Sequence, residues 1–512
     1  EIDGAVCEPI EHVIIDVPEE FAGTVINMLS QRKGEMQDMK TESGQTRIEF
    51  LVPTRGLLGF RGDFIIETKG EGILNHSFLK FEKEKGLADH SVNLLDPATG
   101  LDEIGGILTE GELIKQIGAK VTADLALEGV TVIDCAGLCL APGLIDMRVH
   151  LGEPGEDYKE TFASAGRAAT KGGVTSMVCL PNTDPVIDDM SVVEFVARRA
   201  RLQGLSKVYP YGAVTKGLKG KEIAELGLLA ESGAVAFTDG FNAVANAQVL
   251  RRAMMYARTF DLLICQHPEE PSLAAGGAMN AGETATRLGL SGIPRQAEIM
   301  MIERDIRLVE LTGGRLHIAH VSTVEAIDAI RNAKARGLPV TCDTSPPYFA
   351  LNEVAIGDYR TFAKLSPPLR DESDRRAVVD GLKDGTIDCI ASDHMPQDEE
   401  SKRLPFSAAA TGGVGLETLL AVTLELYHNG HVPLLDALRF VTAAPADLLK
   451  LRTGKLAQGR PADLILFDLE QGWKVEADKL LSKSKNTPFD GRLMQGAVVR
   501  TVIDGRTVFV AD

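Results

Sequence analysis

No apolar run in these 512 residues approaches the length that spans a bilayer, and the opening stretch EIDGAVCEPIEH lacks the charged-then-apolar layout of a signal peptide. A membrane anchor is not expected, and the cytoplasm is the expected location. Seven cysteines lie scattered without a CxxC pair, and an odd, unpaired set in a long chain argues against a disulfide framework. Positive charge is also scarce. With 54 Lys and Arg against 73 Asp and Glu, the net charge is −19, and no clustered cationic footprint for a nucleic acid is available. No GxxxxGK[ST] loop occurs, which excludes a P-loop nucleotide engine. What is present is an ordinary soluble mixture, 44% apolar and 25% charged, in a chain long enough for two or three domains.

The pattern changes once, near KFEKEKGLADHSVNLLDPATG. Before it, HVIIDV reads as a strand, EEFAGTVINMLSQRKGEM as an amphipathic helix and TRIEFLVPTRGLLGF as a strand and turn. These predict a small α+β, ferredoxin-like domain over residues 1–84. After the change, apolar β-branched runs recur at GLIDMRVH, VTSMVCLP, VYPYGAV, AVAFTDG, LLICQH, LHIAHVS, VTCDTSP and DCIASDH, with helical stretches such as VVEFVARRARL and VEAIDAIRNAKARG between them. Eight such units predict an α/β protein built on a (β/α)8 TIM-like barrel, over residues 143–450.

The polar residues then acquire a position. His150, Asn182, Asp239, His267, His320 and Asp393 each end one of the apolar runs, and strand C-termini form the active-site face of such barrels. A single histidine at a strand end is more often a hydrogen-bonding cap than a ligand. Three histidines and two aspartates from separate strands, brought together by barrel closure, make the imidazole and carboxylate set that zinc takes. His317 lies three residues before His320, on the opposite strand face, and reads as structural. His12, His76 and His90 fall in or beside the first segment; His428 and His431, in YHNGHVP, read as loop residues.

Two resemblances follow from longer motifs. EPIEHVIIDVPEEFAG, RKGEM, PTRGLLGFRGDF and TKGEGILNHSF resemble the C-terminal part of TypA/BipA translational GTPases, which, without a P-loop, implies a passenger fold. From about residue 88 onward, APGLIDMRVHLGEPG, GGVTSMVCLPNTDP, AFTDG, QHPEE, AHVST, SPPLR, ASDHMP, GLETLL and KNTPFDG resemble the dihydroorotase branch of the amidohydrolase superfamily. The flanks, residues 85–142 and 451–512, resemble the composite β-sandwich that these enzymes build from both chain ends.

The second resemblance implies reversible hydrolysis of dihydroorotate to carbamoyl aspartate in pyrimidine synthesis, on one or two zinc ions. It implies metal ligands at His150, Asp239, His267, His320 and Asp393, a substrate contact at Asn182, and Asp393 as the group that takes a proton from water and passes it to the leaving nitrogen. A small cyclic amide substrate, a homo-oligomer and an aspartate transcarbamoylase partner are expected with it.

The chain also departs from that family. Where the family has His-x-His-Leu-Arg, this chain has Arg148, Val149, His150, Leu151 and Gly152, so a ligand becomes a cation and a carboxylate-binding arginine is lost. Ser366 and Gln397 replace a usual asparagine and a second substrate histidine. A guanidinium carries donors only and cannot coordinate a metal, and these changes together weaken recognition of a dianionic substrate. Two readings stay open: an altered but active cyclic amidohydrolase, and a non-catalytic homologue retained as a structural partner.

Overall fold

A computed structural model describes residues 7–42, 44–57, 60–69, 71–83, 92–121, 131–133, 135, 137–203 and 205–511. His90 and the junction around residue 84 lie outside the described residues.

The first segment forms strands β1 (Cys7–Pro18), β2 (Glu35–Glu42), β3 (Gln45–Pro53) and β4 (Ile73–Lys83), with helices Glu19–Gln31 and Phe60–Glu67. The sheet order is β2-β3-β1-β4, and every pairing is antiparallel. The period of two in the sequence explains it: Val13, Ile15 and Val17 alternate on β1, Ile48, Phe50 and Val52 on β3, and all are buried. Ala22, Val25 and Leu29, spaced along one helix face, meet them together with Phe60 and Phe64 from the second helix. Among the described residues, this core includes none beyond the segment.

The barrel strands are β9 (Leu144–Val149), β10 (Val174–Cys179), β11 (Lys207–Gly212), β12 (Ala236–Phe237), β13 (Leu263–Gln266), β16 (Arg315–Ile318), β17 (Val340–Thr344) and β18 (Cys389–Ile390). Between β13 and β16 sits a small parallel pair, β14 (Met279–Asn280) and β15 (Gly292–Ile293). The eight barrel strands are parallel and follow chain order. The first and last strands meet where Val149 bridges His394 and the His150 amide donates to the His394 carbonyl at 2.8 Å. β9 and β10 are buried along their whole lengths, as strands covered on both faces must be.

Both flanks enter one seven-stranded sheet, in the order β21-β20-β19-β8-β5-β6-β7. Its members are β5 (Val92–Asp96), β6 (Leu101–Glu110), β7 (Leu113–Gly118) and β8 (Cys139–Pro142) from before the barrel, and β19 (Leu464–Lys474), β20 (Leu493–Ile503) and β21 (Arg506–Val510) from after it. β7 also bonds to the segment ahead of β19, where the Ile114 amide donates to Arg460 and Leu113 bridges Pro461. The sheet therefore curls around a core that includes Leu94, Ile114, Leu140 and Leu464. Among the described residues no helix is long and apolar enough to cross a membrane.

His428 departs from its loop reading. It closes the helix Leu419–His428, capped by Asn429, and is buried.

Candidate active site

The strand-end residues occupy one face of the barrel: Arg148 is the last residue but one of β9 with His150 just beyond the strand, Asn182 follows β10, Asp239 follows β12, His267 β13, His320 β16 and Asp393 β18. Each of these side chains except Asn182 and Asp393, which are partly exposed, belongs to a buried residue. His320 and Asp393 have φ values of 39° and 53°, in the left-handed region that non-glycine residues seldom enter. Such conformations persist where the surroundings over-determine them, and here the His320 amide is pinned by Asp343 Oδ1 at 2.7 Å.

Four of these side chains form a continuous polar chain. Arg148 Nε donates to Asp393 Oδ1 at 2.8 Å, Asp393 Oδ2 lies 3.1 Å from His320 Nδ1, and His320 Nε2 lies 2.7 Å from His267 Nδ1. Arg148 Nη2 also donates to the Gly240 carbonyl at 3.0 Å. Burial pushes the Asp393 carboxyl up, but the neighbouring His320 and the Arg148 guanidinium, with the hydrogen bonds from both, more than offset it and hold the group well below the usual carboxylate range. Burial lowers His267, which favours its neutral, lone-pair-bearing form.

The other expected ligands are engaged elsewhere. Asp239 accepts the Thr215 amide at 2.9 Å and the Thr215 hydroxyl on its second oxygen, and burial raises its pKa to about 6. His150 Nε2 faces Glu156 Oε2 at 2.9 Å, while its Nδ1 is buried without a hydrogen-bond partner. Asn182 Nδ2 reaches the Asp239 carbonyl at 3.4 Å, and its Oδ1 is likewise buried and unpartnered. His317 is bonded to Asp343 at 2.8 Å and Thr341 at 2.9 Å. Gln397 donates its side-chain amide to the Thr411 carbonyl at 2.8 Å, so it braces a loop. Ser366 and Asp393 line a cleft of about 20 Å³ whose other walls include Pro346, Leu365, Val414 and Phe489.

For a metal ion the donor set fits one position. His267 Nδ1 and His320 Nε2 face one another, and neutral imidazole nitrogens are what zinc takes. Asp239 would complete that position by releasing Thr215. Among the described residues no group of three or more His, Cys, Asp or Glu is arranged to hold a metal as the side chains stand. A second position does not fit, because the Arg148 guanidinium is set against Asp393 and His150 is turned to Glu156.

Sequence reasoning did not find Glu156, Thr215 or His394. Thr215 follows the third barrel run and was visible as a strand-end polar residue; Glu156 lies in a loop and carried no signal. His394 contributes the barrel-closing carbonyl, and its imidazole lies 3.4 Å from Glu160 at full burial.

Family models match three stretches of the chain. A dihydro-orotase-like model matches residues 137–326, an amidohydrolase model matches 309–509, and an elongation factor G C-terminus model matches 5–89. The chain is 47% identical to a dihydroorotase of Pelobacter propionicus over 416 residues, 81% of this chain and 97% of that one. It is 44% identical to a dihydroorotase of Anaplasma phagocytophilum over 425 residues, 82% of this chain and 95% of that one. Among solved structures, the L-hydantoinase (dihydropyrimidinase) of Arthrobacter aurescens matches with a TM-score of 0.73 at 24% identity, covering 82% of this chain and 96% of that one, which shows a shared fold.

Proposed function

The chain belongs to the dihydroorotase family of amidohydrolases, and from that premise we propose that it hydrolyses a cyclic amide of the dihydroorotate type to its carbamoyl amino acid, reversibly and at an attenuated rate. The observation that carries the reading is the hydrogen-bonded chain of Asp393, His320 and His267 at three strand ends, with Arg148 set against it.

His267, His320 and Asp239 would hold one divalent ion, with zinc the metal suited to two imidazoles and a carboxylate. Such an ion supplies Lewis-acid polarisation of the ring carbonyl. The rest falls to the side chains. Asp393 takes a proton from the attacking water as the C–O bond forms and returns it to the ring nitrogen as the C–N bond breaks. His320 and, with it, Arg148 hold that carboxylate in its ionised form, which makes it a weak base and slows the proton transfer. The unpartnered Oδ1 of Asn182 offers an acceptor to a ring N–H.

Residues 1–84 we read as a separate passenger domain, residues 85–142 and 451–512 as the composite flank and 143–450 as the catalytic barrel. A second reading, a non-catalytic homologue that acts as a structural partner of aspartate transcarbamoylase, is favoured by the Arg148–Asp393 ion pair alone. Assay of the zinc-loaded full chain on dihydroorotate and on carbamoyl aspartate separates the two. We expect turnover in both directions below about 1 s⁻¹, the low end of ordinary enzymes, rising on the order of 10²-fold in Arg148→His, the size of a general-base contribution. No turnover in either protein would leave the non-catalytic reading.

A further inference from the structure

Arg148 is buried, and its guanidinium reaches two elements besides its own: Asp393 beyond β18, at 2.8 Å, and the Gly240 carbonyl beyond β12, at 3.0 Å. One side chain on the first strand thus ties the fourth and the eighth at the barrel mouth. The Asp393 side chain is 13% exposed, and a carboxylate so largely withdrawn from water needs a compensating charge, whose removal is destabilising. The second oxygen of Asp393 is met by His320 Nδ1 at 3.1 Å. If that nitrogen carries the proton, His320 Nε2 keeps its lone pair and accepts from His267 Nδ1–H at 2.7 Å. Every link from Arg148 to His267 then has one donor and one acceptor, and the charges on Arg148 and Asp393 cancel within the chain.

We propose that Arg148 is a built-in cation that takes the place of a second metal ion: it braces the mouth of the barrel without any metal and limits the site to one divalent ion. The position of that one ion rests on the reading given above; the exclusion of another rests on Arg148 itself. His320 is a positioned ligand in this arrangement, because a histidine whose far N–H is held by a carboxylate presents its other nitrogen in a fixed direction.

Zinc content after desalting, measured by elemental analysis on the full chain, together with melting temperature in EDTA and in zinc, tests the proposal. The wild type is expected to hold one equivalent and Arg148→His two. Arg148→Gln, which removes the charge without adding a ligand, is expected to melt about 5 °C or more below the wild type in EDTA, the order of shift that a lost buried partner gives in a large domain. Two equivalents in the wild type would overturn the proposal, as would a folded Arg148→His that binds no more zinc than the wild type. Should Arg148→His fail to fold, the glutamine variant decides, and equal melting in EDTA would overturn it. Zero equivalents in the wild type with one in Arg148→His would leave the exclusion by Arg148 standing and remove the one-ion reading of His267, His320 and Asp239.

Discussion

Gly152 and Gly240 set what each side of the mouth tolerates. Gly152 has φ +71°, and a Cβ there would lie 2.8 Å from the Glu156 carbonyl oxygen and 3.0 Å from that of Glu160. The arginine that the family resemblance expects at this position therefore has no room on the present loop path. Adding Gly152→Arg to Arg148→His should cost about 1–3 kcal/mol through backbone strain, read as a lower melting temperature, with no further gain in turnover. At Gly240, φ is +65° and a Cβ would fall 1.5 Å from Asn182 Oδ1. Gly240→Ala should displace Asn182 and raise KM more than it lowers kcat; an unchanged KM would remove Asn182 from substrate contact. Asp239 carries a pH dependence of its own. Its pKa, raised by burial to about 6, means the folded chain holds a proton that the unfolded chain releases near 3.8. The stability from that proton is present below the unfolded value and is lost as pH rises through about 6. A metal ligand needs the ionised form, so zinc retention should fall by up to about tenfold per pH unit below 6, measured by equilibrium dialysis. The residues that end strands were legible because an apolar run points to its own last residue. The partners of Arg148 and His150 were not, since the Arg148–Asp393 pair spans 245 positions and Glu156 answers to no periodicity.

The eight barrel strands were legible as elements, yet β12 and β18 are only two residues long, shorter than the runs that announced them. Their polar ends turn away into loops as soon as they leave the sheet, and this is what frees Asp239 and Asp393 to serve the site. One loop carries a device that the pattern did not show. Lys402 Nζ donates to the carbonyls of Ala410 at 2.7 Å and Thr361 at 3.0 Å, and Lys364 Nζ to those of Ala409 at 2.8 Å and Ser407 at 2.9 Å. Two buried lysines thereby stitch the segment after β18 to the segment that carries Ser366, the two walls of the cleft beside Asp393. Burial, and then the charge of Lys364, lower Lys402 to about 7. Between that value and the unfolded 10.5, the unfolded chain binds the extra proton, so stability rises with pH across the window. Lys402→Met should remove this slope, up to about 1 kcal/mol per pH unit, as followed by denaturant melts at pH 7, 8 and 9. A wild-type melt with no such slope would show that the carbonyl contacts hold the ammonium charged throughout.

At the scale of the whole molecule, the change of character in the sequence corresponds to a change of core. The buried cluster of the first segment and the cluster of the barrel share no residue. Contacts across the seam include polar ones: Arg32 donates to Asn429, and Lys33 pairs with Glu470 at 3.4 Å. Deleting residues 1–84 should therefore leave the remainder folded with turnover unchanged, and calorimetry of the full chain should show two transitions where the deletion shows one. Aggregation of the deletion with loss of its cooperative transition would mean that the first segment completes the barrel's fold. Composition and motif made this division legible; the seam contacts were not, because they depend on how two finished surfaces meet.

The seven-stranded sheet has a consequence in time. β8, at Cys139–Pro142, pairs on one side with β5 and on the other with β19, which begins at Leu464. On a ribosome adding roughly 5–20 residues per second, more than 300 residues separate the emergence of the two partners, about 15–60 s. Throughout that interval the first segment is complete and free to fold, while β8 has one edge open and the barrel's flank is unsealed. Emergence of β19 to β21, more than any step inside the barrel, then sets when this sheet can close.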